Sequence, residues 1–293
     1  MVNFSSITFA ELFPHSALAK EKKEYYHQKF EGELSLPILP ELSMSEDFTR
    51  VMTYNVHEFK DAFHQNRKKE IVDLIGRSDA SIVALQEATF NNWSTLDGLK
   101  GVFAYSKYVQ TETHGSTIIG NVLLSKYRIG ETRVIEPYPN RQIIISEIFF
   151  PGDQAVHVAV AHLDNNGYGH RESLEQVHEL LQDMKTDQDG PSFFLGDFNA
   201  LYEKDPNLQV IREIDESLYR DTYVLRDRVL GPHGWISSYD QSSYPQYTCW
   251  SGRTVDHVFF KPGRHTLYGK SFVLPVNYSD HLPVVFDYRM RAH

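Results

Sequence analysis

The sequence predicts an α/β protein whose strands form two packed sheets covered by helices. Short, β-branched apolar runs recur along the chain, with helix-like stretches between only some of them. A doubly wound parallel sheet would need a helix after nearly every strand. Gln142 to Phe150 and Val156 to Ala161 are joined by Pro151-Gly152-Asp153-Gln154-Ala155, which reads as a hairpin and favours the sandwich. With 41% hydrophobic and 13% aromatic residues, the 293-residue chain can bury the core that such an arrangement needs, in one large domain or two ordinary ones.

In chain order, the first fifty or so residues differ in texture. A charged stretch from Ala19 to Glu31 reads as a helix, and Pro37 and Pro40 break the chain after it. Residues 1–49 are therefore expected to be an extension, packed on the main domain as a strap or covering it as a lid or partner-binding arm. Arg50 to Tyr54 is a strand; Arg67 to Ile75 has helical spacing at Ile71, Val72, Leu74 and Ile75. Ser81 to Leu85 is a buried strand, followed by strands at Asn121 to Ser125, Gln142 to Phe150 and Val156 to Ala161. A helix is predicted from Arg171 to Met184, and Asp189-Gly190-Pro191 resets the chain before the strand Ser192 to Leu195. Thr254 to Phe260 and Val284 to Tyr288 close the series.

A formal net charge of -10 argues against loose attachment to long nucleic acid, which relies on many Lys and Arg neutralising phosphates. The single Cys249 excludes an internal disulfide framework and fits a small core residue in a reducing compartment. No apolar run approaches the roughly 18 residues of a membrane span, and the first residues lack the features of a secretory signal. The expected location is the cytoplasm, with the nucleus also open, and no stable membrane insertion is expected.

Polar residues stand at the ends of five apolar runs: Asn55, Glu87, His162, Asp197 with Asn199, and Asp280 with His281. Strand ends of this kind can converge on one pocket where the buried sheet meets solvent. Hard oxygen donors and a histidine meeting there suit Mg²⁺ or Mn²⁺, and so predict a metal-dependent phosphoesterase. Tyr54 points to the opposite face of its strand from Asn55 and is expected in the core. Arg141, just ahead of a strand, is a candidate phosphate contact, as are Asn121, Arg253 and Lys261. Tyr247, Trp250 and Trp235 can stack bases or fill the core.

Seven motifs stand in order: Thr53-Tyr54-Asn55-Val56, Leu85-Gln86-Glu87, Gly120-Asn121-Val122-Leu123-Leu124-Ser125, Ala161-His162-Leu163, Gly196-Asp197-Phe198-Asn199, Thr254-Val255-Asp256-His257-Val258-Phe259 and Ser279-Asp280-His281-Leu282-Pro283. In this order the chain, from about Arg50 to Tyr288, resembles the endonuclease/exonuclease/phosphatase superfamily, the DNase I-like fold. The resemblance implies a four-layered α/β sandwich over residues 50–293 and a monomer. It implies Glu87 as principal metal ligand, with Asn55 and Asp280 reaching the metal directly or through water; one or two cations are compatible. Asp197 would orient and deprotonate the attacking water, and Asn199, on the same side of an extended segment, would hydrogen-bond the nucleophile or a phosphate oxygen. His281 would be an imidazolium stabilising the phosphoryl group, with Asp256 accepting its other N–H. His162 would hydrogen-bond a nonbridging oxygen or assist the leaving group. Asn121 falls in a motif where an amide lies near the pocket, so it joins Arg141 as a substrate-binding candidate.

The substrate is set by loops. The chain lacks the Trp-x-Asp-Arg string of inositol phosphatases, and His57-Glu58-Phe59 follows Asn55 where exonuclease III-type enzymes carry Asn-x-x-Gly-x-Arg. Tyr247-Thr248-Cys249-Trp250 and Leu274-Pro275 resemble arrangements in messenger-RNA deadenylases. The leading expectation is a Mg²⁺-dependent phosphodiesterase acting on nucleic acid at a short, single-stranded or modified end. A phosphomonoesterase or lipid phosphodiesterase is the alternative, with an inactive binding module behind it.

Overall fold

The computed structural model describes residues 6–8, 35–37, 48–91, 97–152, 154–165, 174–177, 190–202, 232–241, 247–250, 253–263 and 266–291. The predicted helix Ala19–Glu31 and most of the predicted helix Arg171–Met184 lie outside these residues; residues 174–177 are helical. In the first fifty residues, β1 (Ser6–Thr8) and β2 (Ser35–Pro37) pair antiparallel.

Two six-stranded sheets make up the body. One contains β7 (Arg128–Tyr138), β8 (Arg141–Phe150), β9 (Gln154–His162), β10 (Ser192–Asp197), β11 (Ile236–Ser237) and β12 (Asp256–Lys261), in the order β11-β12-β10-β9-β8-β7. The other contains β3 (Thr49–Asn55), β4 (Ile82–Thr89), β5 (Tyr105–His114), β6 (Thr117–Ser125), β13 (Thr266–Val273) and β14 (Val284–Arg291), in the order β13-β14-β3-β4-β6-β5. Each sheet has one parallel pair at its centre, β9 with β10 and β3 with β4, flanked by antiparallel neighbours. The expected β8–β9 hairpin is there.

The strands at the centre alternate, and the alternation builds three buried layers. Val51 on β3, Ile82 and Ala84 on β4, Val158 and Val160 on β9, Phe193 and Leu195 on β10, and Val258 and Phe260 on β12 meet between the sheets. The intervening residues Met52, Tyr54, Val83 and Leu85 face outward onto Ile71, Leu74 and Ile75 of helix α1 (Lys68–Arg77) and Leu99 of helix α2 (Asp97–Lys100). On the far side, Ile143, Ala159, Ala161, Phe194 and Phe259 pack with Leu174 and Val177. Helix, sheet, sheet, helix gives the four-layered sandwich that the sequence predicts.

Helix α1 holds because Ile71, Leu74 and Ile75 recur at the i, i+3, i+4 spacing that forms one apolar stripe. Its end is closed by the Ser78 hydroxyl, which donates to Ile75 O at 2.7 Å. Arg50 fastens this layer to the sheet: it donates from Nη1 to Ser78 O at 2.6 Å and grips Asp287 of β14 with Nε at 2.6 Å and Nη2 at 2.7 Å. With side chains only 5% and 13% exposed, the pair is a forked contact held largely out of water. Removing one partner takes away the charge that offsets the burial of the other. Asp287→Ala is expected to lower unfolding free energy by about 3 kcal/mol, read from urea denaturation.

Candidate active site at the ends of the parallel pairs

The inter-sheet parity of the strands carries polar groups to one place. On β9, β10 and β12 the residues that continue the inward series are His162, Asp197 and Asp256, and they lie in one register row, Asp197 opposite both His162 and Asp256. On β3 the inward series ends at Asn55. Gly196, beside Asp197, is required by close approach, since a Cβ there would overlap the Ala161 carbonyl on β9.

Glu87 reaches the site by a different route. Strict alternation after Leu85 would turn it outward toward α1. Between Leu85 and Ala88 the β4–β6 register shifts, and Glu87 takes a left-handed backbone with φ 54°. This bulge re-aims the carboxylate, the usual effect of an extra residue in an antiparallel pair. Asp280 and His281 also depart from the expectation of a strand end: they lie in the loop between β13 and β14. There Trp250 N–H donates to Asp280 O and Leu282 N–H to Thr248 O, both at 2.7 Å, and Cys249 forms a bridge with His281. The Tyr247–Trp250 segment is thus the cradle for His281. Thr248 Oγ1 accepts the N–H groups of Val255 and Asp256 at 3.0 Å each, so it fixes Asp256 as well.

Asp197 is the hub. Its Oδ1 accepts the Asn199 backbone N–H at 2.9 Å, and its Oδ2 accepts Asn55 Nδ2 at 3.1 Å. His281 Nε2 is 3.7 Å and His162 Nε2 3.8 Å from the same oxygen. Those two gaps are too long for hydrogen bonds and leave both imidazoles reach toward a further group. Burial pushes the Asp197 carboxyl up, but His281, His162 and the hydrogen bonds from Asn199 and Asn55 outweigh it and hold it below the usual range. Burial pushes the Asp256 carboxyl up against the opposing His281 charge. His281 Nδ1 sits 2.8 Å from Asp256 Oδ2; burial disfavours its charge, yet Asp256 and Asp197 raise its pKa well above the ordinary value. Both carboxylates thus favour the charged form of the His281 ring.

Several details differ from the sequence expectation. The segment from Asp197 to Asn199 is not extended: Asn199 has φ 50°, and its side-chain amide donates to Leu163 O at 2.9 Å, bracing the end of β9. The Asn55 amide offers Nδ2 to Glu87 Oε1 at 3.0 Å and to Asp197, while the oxygen expected to face a cation accepts the His57 N–H at 3.0 Å. Asn121 is fully buried and donates Nδ2 to Gln142 O at 2.8 Å, so it ties the sheets together rather than meeting solvent. Arg141 does lie beside the cluster, 3.5 Å from His162 Nδ1, with Glu112 and Asp164 around it at 3.4 and 3.6 Å. Asp280 Oδ1 is 3.6 Å from His57 Nδ1. Lys261 lies over the Trp235 ring, its Nζ 5.6 Å from the centroid. Trp235 and Tyr247 are buried, Trp250 partly so.

Glu112 and Asp164 were not read from the sequence. Asp164 stands two residues beyond His162 in Ala161-His162-Leu163-Asp164, a spacing that points to the same pocket; Glu112 lies on an edge strand whose polar composition hides it.

The chemistry of the cluster suits a divalent cation: Glu87, Asp197 and Asp280 carry carboxylate oxygens, which are hard donors, and Asp197 and Asp256 are already buried. Asp197, Asp256 and His281 also offer atoms within 4.8 Å of one another. Glu87, one quarter exposed, stands beside this trio across the Asn55 amide.

A sequence model of the endonuclease/exonuclease/phosphatase family matches residues 52–281. The chain belongs to that family, a family of phosphoesterases. No curated protein matches it in sequence. Among solved structures, an endonuclease/exonuclease/phosphatase from Beutenbergia cavernae is 20% identical, with TM-score 0.68 over 84% of this chain and 72% of that one. D. rerio TDP2 complexed with a single-strand DNA product is 14% identical, with TM-score 0.62 over 83% and 100%. The mannosyl-6-phosphatase of Bacteroides thetaiotaomicron is 15% identical, with TM-score 0.59 over 82% and 99%. At such identities the likeness shows the fold. No helix among the described residues is long and apolar enough to cross a membrane.

Just behind the family motif residue Asp256, His257 is fully buried against Phe259, with ring centroids 5.1 Å apart, and its Nε2 is 2.7 Å from Ala200 O. Burial lowers its pKa to about 4. In the unfolded chain it protonates near 6.5, so between about pH 6.5 and 4 only the unfolded state takes up the proton, and stability falls as pH falls. The contribution, complete above pH 6.5, amounts to roughly 3 kcal/mol. Urea unfolding at about pH 7 and 5 should show a shallower loss in His257→Gln than in the native protein.

Proposed function

We propose that this member of the family is a divalent-cation-dependent phosphodiesterase that cleaves nucleic-acid phosphodiester bonds, at short, single-stranded or modified ends. The observation that carries the hydrolytic reading is the Asp197 carboxylate, held ionised and faced by two imidazoles from beyond hydrogen-bond distance.

Asp197 Oδ2 orients and deprotonates the attacking water, with Oδ1 fixed by the Asn199 N–H. His281 presents Nε2–H to phosphate oxygens, and Asp256 on Nδ1 keeps its ring charged and aimed. Glu87 would hold Mg²⁺ or Mn²⁺, with Asp280 reaching it directly or through water; Asn55 as placed orients the two carboxylates that flank it. The cation supplies neutralisation of charge that builds on the phosphate and leaving oxygens. Burial of the cluster strengthens each of these interactions over its value in water.

The nucleic-acid preference is supported by the shared fold with TDP2, whose solved form holds a single-strand DNA product. The net charge of -10 favours a short end over a long duplex. The likeness to a mannosyl-6-phosphatase favours a second reading, a phosphomonoesterase.

Purified protein assayed with Mg²⁺, Mn²⁺ or EDTA on labelled single-stranded DNA, RNA, duplex DNA and sugar phosphates separates the two. Oligonucleotide cleavage that EDTA abolishes supports the proposal, whereas phosphate release from sugar phosphates alone overturns it in favour of the second reading. Asp197→Ala is expected to lower kcat by about 10²-fold or more with little loss of fold. Glu87→Gln is expected to raise the Mg²⁺ concentration needed for half-maximal rate before it affects anything else.

A further inference from the structure

His162 and His281 face the same oxygen, Asp197 Oδ2, through Nε2. Their other nitrogens meet opposite partners. His281 Nδ1 lies against Asp256 Oδ2, an acceptor, at 2.8 Å. His162 Nδ1 lies 3.5 Å from Arg141 Nη1, a group that has hydrogens to donate and no lone pair to offer. A ring nitrogen facing a guanidinium N–H can take only the acceptor role, so the ring's own proton belongs on the other nitrogen.

We propose that Arg141, gripped between Glu112 and Asp164, fixes His162 in the tautomer that carries its proton on Nε2, and that these three are positioning residues for His162. The use of that proton rests on the phosphoester reading given above; the tautomer itself does not.

The grip comes from three parts of the chain. Arg141 opens β8, Glu112 lies near the end of β5, and Asp164 follows β9. Arg141 Nη1 is 3.4 Å from Glu112 Oε1, and Nη2 is 3.6 Å from Asp164 Oδ1. The side chains of Arg141 and Asp164 are 13% and 5% exposed, so the guanidinium is mostly out of water and needs both carboxylates to offset its desolvation. Glu112 is steadied in turn by His114, whose Nε2 is 3.2 Å from Oε2. Asn121, donating to the carbonyl of Gln142, pins the backbone next to Arg141 to the other sheet. The burial of His162 and the charge of Arg141 lower its pKa against the pull of Asp197, Glu87 and Glu112.

The consequence is a division of roles between the two imidazoles. His162 aims Nε2–H into the space bounded by Glu87 Oε1 at 3.7 Å and Asp197 Oδ2 at 3.8 Å. An oxygen of a bound phosphate can take that hydrogen bond. Full transfer of the proton would leave an imidazolate, so His162 stabilises charge on a nonbridging oxygen and does not protonate the leaving group.

The test is a two-bond ¹H–¹⁵N correlation spectrum of the full chain labelled at histidine nitrogens, without added metal or substrate. The His162 signals are identified among 14 histidines by their loss in His162→Gln. Expected are an unprotonated Nδ1 and a protonated Nε2 in the native protein, a mixture of tautomers in Arg141→Gln, and recovery in Arg141→Lys, since lysine also can only donate. Native protein with its proton on Nδ1 overturns the proposal, and so does an Arg141→Gln variant, folded by circular dichroism, with unchanged His162 signals. On an oligonucleotide substrate, Arg141→Gln should lower kcat about 10-fold with KM nearly unchanged; a rise in KM alone would make Arg141 a substrate ligand and overturn the positioning role. The expected spectrum in a protein that hydrolyses no phosphoester would leave the tautomer assigned and remove the functional reading.

Discussion

The hydrogen bond from Asn55 to Asp197 joins the two sheets at the point where the chemistry is gathered, and the rest of the site is arranged about it. Asn55 ends β3 in one sheet and Asp197 ends β10 in the other, yet Nδ2 and Oδ2 are 3.1 Å apart. Such contact between sheets is possible only if the strands approach with their parallel-pair ends together and their inward residues at matching depth. The apolar layer of Val51, Ile82, Phe193, Leu195 and Val258 secures that approach. Asn121 to Gln142 makes a second polar tie of the same kind. Sliding either strand by one residue would exchange inward and outward faces, taking both Asn55 and Asp197 out of the interface.

Holding several carboxylates together is costly unless their charge is met. The structure meets it unequally. Asp197 receives two N–H donors and sits near two imidazoles, and stays ionised. Asp256 is fully buried near the Asp197 charge, and burial drives its pKa upward against the pull of His281 and Thr248. The two carboxylates share one imidazole, and environment alone shifts their pKa values in opposite directions.

The sequence made the inward-facing residues legible because alternation is a period that composition preserves. Tyr54 in the core and Asn55 at the interface follow from adjacent positions on one strand, and Asp197 and Asp256 follow likewise from Leu195 and Val258. Glu87 was placed by its motif, but nothing in Leu85-Gln86-Glu87-Ala88 announces the left-handed residue that turns it inward. The strands β5 and β7 were missed altogether. Both lie at sheet edges with mostly exposed or half-exposed side chains, so their pattern is polar and lacks the apolar run that marks a central strand. Missing β5 also hid Glu112. The cradle for His281 could not be seen from the sequence because it rests on backbone hydrogen bonds between segments some thirty residues apart, which no side-chain pattern encodes.

The core fixes the cluster at the strand ends, but the turn leaving β3 is shaped by other forces. His57, Glu58 and Phe59 have φ of 43°, 56° and 63°, three left-handed residues without a glycine among them. Each such residue costs about 1–2 kcal/mol, so the turn persists only if its surroundings hold it. Phe59 is fully buried in the outer layer, and Arg67 N–H donates to its carbonyl at 2.9 Å. Asp61 organises the rest, with Oδ1 accepting the N–H groups of Phe63 and Gln65 and Oδ2 accepting Arg67 Nε at 2.8 Å. These anchors offset the strain and set His57 beside Asp280 at the rim. The paired strands therefore hold Asp197 and Asp256 in one row, while the loop after β3 is stabilised separately by its own anchors. A fold built this way can vary residues 57–67 without disturbing the sheet contacts that hold Asn55 against Asp197.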